Sequence, residues 1–244
     1  MKRIVCTLLL LLAIFGQTTA QSTAFVLKGG LSIGSQKWDN SIERELLWRY
    51  HAALAFETIN NENDQASFYA QIGYHLRGSA TRFRTFDINN PSILGAQYTE
   101  ALEFRNAALQ LGLKIRLPDN GGSARFYYFG GLRTDYNINN NINELRELNL
   151  CNVGALPFEE GVQKWTLGMS LGAGTEFAFG DLVGGQFEFS LNPDFTPQYL
   201  QGAIPNVIDQ CQPGNSFTIP ERRIRNFTIE LSVGLRLLRK VIYE

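Results

Sequence analysis

The sequence predicts an all-β fold: an eight-stranded up-and-down antiparallel transmembrane β-barrel with long extracellular loops and short periplasmic turns. Three observations predict it. About eight stretches alternate with period two between an apolar and a polar face, the mark of a strand with unlike surroundings on its two sides. The connections between them are sorted, long after strands one, three, five and seven and short after two, four and six, as in an outer-membrane barrel and for no reason in a soluble sandwich. The chain also opens as an exported one. Lys2 and Arg3 precede the apolar run Val5–Phe15, and Thr18-Thr19-Ala20 follows it. This is a signal peptide, residues 1–20, leaving 21–244 as one outer-membrane barrel domain.

Strand six, Trp165–Phe179, sets the pattern. Trp165, Leu167, Met169, Leu171, Ala173, Thr175, Phe177 and Phe179 share one face; Thr166, Gly168, Ser170, Gly172, Gly174, Glu176 and Ala178 share the other. The run exceeds the ~5–6 residues usual in soluble sheets and reaches the about 9–11 that a tilted strand needs to cross a bilayer. The other strands repeat it. Strand one is expected over Ala24–Gly34, with Phe25, Leu27, Leu31 and Ile33 opposite Val26, Lys28, Gly30 and Ser32. Strand two, Trp48–Ile59, sets Tyr50, Leu54 and Phe56 against Arg49, His51 and Glu57. Strand three, Ala66–Arg77, sets Phe68, Ile72 and Leu76 against Gln71, His75 and Arg77. A polar segment, Gly78–Thr99, reads as a long loop. Strand four, Glu103–Leu117, ends at the turn Pro118-Asp119-Asn120-Gly121-Gly122. Strand five is Ala124–Tyr136. A short helix is expected near Ile142–Leu150 within the next connection. Strand seven is Gly184–Phe195. The loop Thr196–Arg223 holds Pro197, Pro205, Pro213 and Pro220, which argue against regular structure. Strand eight is Ile224–Leu238.

The composition excludes several classes. With 22 Lys and Arg against 23 Asp and Glu, losing Lys2 and Arg3 leaves 20 against 23, a net charge of −3 that gives no basis for nucleic-acid binding. Cys6 leaves with the signal. Cys151 and Cys211 remain in polar, irregular segments and can form one disulfide between two outer loops; two free thiols are the alternative.

The two faces carry the functional reading. The apolar face lacks charge within the spans, as lipid contact requires. Trp48, Tyr136 and Trp165 fall at the outer strand ends, and Phe56, Phe126, Phe177 and Phe179 near the inner ends, forming two aromatic girdles. The other face holds Lys28, Arg49, Arg77, Lys114, Arg116, Arg125, Arg133, Lys164 and Arg236, with Glu57, Asp135, Glu176, Glu188, Asp194 and Glu230. A barrel of about eight strands fills its bore with its own side chains, so these charges should pair. Lys28, Glu188, Glu230 and Arg236, on adjoining strands, are expected to form part of that network. An ion or solute pathway is the alternative. His51 and His75 face the bore with no nucleophile or acid paired to them by spacing, and read as polar filler. No metal spacing, P-loop or dinucleotide fingerprint occurs, so neither a metal nor a cofactor is expected.

The first strand (FVLKGGLSIG), the fourth-to-fifth hairpin (AALQLGLKIRLPDNGGSARFYYFGGLRTDYNI), the sixth-to-seventh hairpin (LGAGTEFAFGDLVGGQFEFSLN) and the last strand (FTIELSVGLRLL), with the signal peptide, resemble the PorT-type outer-membrane β-barrel family of Bacteroidota. The terminus Val241-Ile242-Tyr243-Glu244 departs from it, lacking a final aromatic. The resemblance implies a small outer-membrane barrel, and its name-giving member is an accessory component of the type IX secretion system. The expectation is therefore a monomeric, non-enzymatic barrel in outer-membrane lipid, contacting other envelope or secretion-system proteins. A narrow pore or ligand channel, and an exported soluble lipocalin-like binding barrel, are the alternatives. The last would need the apolar face to point inward.

Overall fold

The computed structural model describes residues 22–38, 44–59, 65–86, 94–118, 124–148, 157–208, 214 and 216–239. The expected signal peptide and both Cys151 and Cys211 lie outside the described residues. Eight strands form a ring: β1 (Ser22–Trp38), β2 (Leu47–Ile59), β3 (Ala66–Phe86), β4 (Leu94–Arg116), β5 (Ala124–Asn140), β6 (Trp165–Ala178), β7 (Val183–Pro193) and β11 (Arg222–Arg239). Each pairs antiparallel with the next, and β1 closes on β11 from Thr23↔Arg239 to Trp38↔Ile224. Closure removes the edges that hydrocarbon would leave without hydrogen bonds. Three short strands and a helix lie in the connections at the outer end: β8 (Tyr199–Gln201), β9 (Ile204–Ile208), β10 (Ser216–Ile219) and α1 (Ile142–Leu148).

The pleat sends the apolar set outward. Leu171 is 46% exposed on the outer wall, whereas its neighbour Ser170 is 1% exposed inside. This is opposite to what a soluble ligand-binding barrel needs. The girdle residues all lie on the outer surface, and Tyr136 and Trp165 meet at 4.9 Å between ring centres.

Two expected loops are partly strand. Residues expected as the loop Gly78–Thr99 largely extend β3 and β4 into a projecting hairpin, paired as far as Phe86↔Leu94. Residues 75–81 of β3 are buried on both faces, so no amphipathic alternation marks the start of the hairpin. The hairpin also leans inward. The β2–β3 ladder spans His51↔His75 to Glu57↔Tyr69, and beyond it β3 passes inside β2. Outward-facing Glu103 of β4 then accepts a 2.7 Å hydrogen bond from Arg49 Nε of β2, and Ala80 bridges to Glu45. Gly78 permits the bend. Its φ is +154°, and a Cβ there would lie 1.9 Å from the Leu102 carbonyl oxygen.

Within Thr196–Arg223, the three short strands replace the expected irregular loop. β8 extends the β11 edge through Arg222↔Gln201 and Ile224↔Tyr199. Pro205 sits in β9 where its pairing with β10 is irregular, the setting in which a strand tolerates proline.

Candidate functional site: the filled bore and its outer cap

Because side chains alternate along each strand, every inward position stacks at a definite height in the bore. At the inner end, Lys114 of β4 lies 2.5 Å from Glu57 of β2 and 2.6 Å from Glu176 of β6. Arg116 reaches the same two carboxylates at 2.5 and 3.1 Å. Arg236 stands farther off, 3.8 Å from Glu57 and 3.7 Å from Glu176. One level up, Lys28 pairs with Glu188, which also accepts a 2.8 Å bond from Tyr127 Oη. The Tyr69, Tyr127 and Phe129 rings pack beside it.

At mid-height the His51 and His75 rings stack, 5.4 Å apart and 4° from parallel. His75 Nδ1 lies 2.7 Å from Glu230. His51 contacts Ser32 Oγ at 3.1 Å and Ser232 Oγ at 2.8 Å, and Ser32 donates to Glu230 at 3.3 Å. A serine beside a histidine that leads to a carboxylate is the grammar of an activated nucleophile. Here Ser232 is 5% exposed and His51 3%, so a substrate would have to displace the wall to reach them.

Above the histidines, Arg77 lies 2.6 Å from Asp135 and 3.4 Å from Asp194. Arg133 lies 2.9 Å from Asp135 and also pairs with Asp194. An amide layer follows. Gln36 Nε2 donates to Asn226 at 2.8 Å, Asn137 to Asn106 at 2.9 Å, and Asn106 to Gln198 at 3.3 Å. The last layer is apolar: Trp38, Leu102, Phe104, Ile142, Leu145, Tyr199 and Ile224 close the mouth. Arg44 stacks on its rim, 3.4 Å above the Trp38 ring. Burial, with Arg222 nearby, pushes the Arg44 guanidinium down to about 10, so it remains charged at neutral pH.

The structure thus places Lys28, Glu57, Lys114, Arg116, Arg133, Asp135, Glu176, Glu188, Glu230 and Arg236 inside, but groups them otherwise than expected. Lys28 does meet Glu188, while Glu230 turns to His75 and Arg236 to the inner cluster. Lys164 is exposed before β6 starts, and Arg49 lies at the β2 end, half-buried, so neither belongs to the bore network. Arg77 proves central, with none of its side chain exposed. Gln198 and Tyr199 are the residues the sequence reading missed. They lie in a segment read as irregular, yet are 1% and 0% exposed. A tyrosine flanked by Gln198 and Gln201 was their only signal. Among the described residues, no group of three or more His, Cys, Asp or Glu could hold a metal ion.

Comparison with known proteins places this architecture. A family model described as "Outer membrane protein beta-barrel domain" matches residues 15–196. Among solved structures, the chain is similar to Neisserial surface protein A (11% identity, 88% of this chain and 96% of that one, TM-score 0.46). It is also similar to OprG of Pseudomonas aeruginosa (8% identity, 91% and 98%, TM-score 0.48) and to the outer membrane protease OmpT of Escherichia coli (12% identity, 91% and 99%, TM-score 0.36). No curated protein matches by sequence.

Proposed function

The chain belongs to the outer membrane protein β-barrel domain family, and on that premise we propose that it is a closed, non-enzymatic barrel that serves the cell envelope through protein contacts at its outer rim. The observation that carries this reading is the filled bore. Lys28, Arg77, Lys114, Arg116, Arg133 and Arg236 pair with Glu57, Asp135, Glu176, Glu188 and Asp194, and Glu230 is held by His75, all under an apolar cap. A conducting path needs charges that water or ions can reach. These charges are committed to one another. The projecting β3–β4 hairpin, α1 and the β9–β10 ribbon supply the outer contact surface. The resemblance to PorT-type barrels makes an accessory role in type IX secretion the most specific form of the proposal.

Planar-bilayer recording tests the closed bore: the expected trace is flat, and stable, reproducible conductance overturns the reading. Crosslinking mass spectrometry in native envelopes tests the partner. Crosslinks from the outer rim to other envelope proteins are expected, and recovery of the barrel assembly machinery alone counts against them.

A further inference from the structure

The outer wall of β1 and β11 carries a cationic pair that the bore network does not use. Lys37 and Arg225 are direct cross-strand partners, and both are exposed on the outside. Like charges set opposite one another on one sheet face are destabilising. Neither has a described acidic partner. Arg223, next on the same face of β11, is exposed too, with Glu221 2.6 Å away.

Height gives the pair its meaning. Below it the outward face is apolar without a break on β11: Leu237, Leu235, Val233, Leu231, Ile229, Phe227. On β1, Ile33 is the last outward apolar residue, and Ser35 opposite Phe227 separates it from Lys37. The inward face changes at the same level, from Gln36 and Asn226 to Trp38 and Ile224. Both faces therefore mark the plane where hydrocarbon gives way to headgroups, and Lys37 and Arg225 project sideways at that plane.

We propose that Lys37 and Arg225 bind the phosphate of a glycolipid headgroup in the outer leaflet. The guanidinium offers paired N–H donors to phosphate oxygens and the ammonium adds a compact charge beside it. Phe227 and Ile33 beneath them lie against the acyl chains of the same molecule. The bound phosphate offsets the repulsion between the two cations.

The test uses the full mature barrel in phosphatidylcholine vesicles containing either bis-phosphorylated lipid A or its phosphate-free form. Retained lipid is read by native mass spectrometry. The wild type retains the phosphorylated form preferentially. The Lys37→Gln/Arg225→Gln double variant loses about thirtyfold of that retention, each cation near an anionic headgroup contributing roughly fivefold. Arg239→Gln, outward at the opposite rim of β11, keeps it. Equal retention of the two lipids by the wild type overturns the proposal without reference to any variant, so a double variant that fails to fold does not protect it. Retention unchanged in a folded double variant overturns it as well. Displacement of the lipid by inorganic phosphate at equal concentration also overturns it, since it would reveal a site for the free ion.

Discussion

The membrane-level bore and the outer mouth are built from the same strands with the same pleat, yet their polarity is opposite. Along β4 the inward residues run Lys114, Gln110, Asn106 and then Phe104 and Leu102, while the outward ones run Leu113, Leu111, Leu109 and then Arg105 and Glu103. β11 makes the same exchange: Glu230 and Asn226 inside give way to Ile224, and Phe227 outside gives way to Arg225. The difference teaches that the outer surroundings decide. Where lipid covers the wall, apolar side chains belong outside and the interior must find partners for the ionic ones. Where water covers it, the ordinary hydrophobic effect takes over and the grease turns inward. The ionic bore also fixes the register. A slip of one residue would turn the inward cations toward lipid, at a cost of up to about 2–4 kcal/mol for one at the midplane and less for Lys114 and Arg116 near the inner rim.

The bore should break most easily at Glu57, which holds Lys114 at 2.5 Å and Arg116 at 2.5 Å. Glu57→Gln leaves two buried cations sharing Glu176 with Arg236, and should cost about 4 kcal/mol, within the range for removing one partner of a buried pair. Urea unfolding in lipid vesicles reads this as a lower midpoint with an unchanged slope. An unaltered midpoint would mean that water already screens the cluster. The outer wall comes next. Leu171→Lys puts a charge against acyl chains on the middle of β6 and should cost about 3 kcal/mol by the same measurement. In the mouth the effect is smaller. Leu102→Ala, in the apolar cap, should cost about 2 kcal/mol, the low end for a buried leucine, because the site lies beside water and can settle around the gap. The emission of Trp38, in the same cluster, should shift to the red.

The sequence made the membrane-level barrel legible because lipid imposes one phase of alternation across each span: outward apolar residues keep the same parity from Phe25 to Ile33 and from Phe227 to Leu237. The mouth was hidden by the polarity exchange. In β4 the apolar parity passes from Leu102 and Phe104 to Ala107 and Leu109, so the period-two signal cancels where the two regimes meet. That is why the strand read as starting at Glu103 continues back to Leu94. The bore charges were legible as a set, but not as pairs. Pairing across the barrel depends on heights and radial reach, and Glu230 finds His75 of β3 rather than Arg236 of its own strand. Tyr199 could not be placed at all, since a single short strand, β8, carries it into the mouth.

The smallest effect tests where the polar regime ends. Thr228 is fully buried on β11, between Glu230 and Asn226, and its hydroxyl has no hydrogen-bond partner among the described residues. If the bore is closed and dry at that height, the hydroxyl carries a desolvation cost with nothing to offset it. Thr228→Val keeps the shape and removes the cost, so it should leave stability unchanged or raise it by up to about 1 kcal/mol. If water threads the bore, the hydroxyl is already hydrated, and the valine would lower the unfolding midpoint instead. The sign of one isosteric change therefore separates a bore sealed by its own ion pairs from one that lets water past the histidine layer.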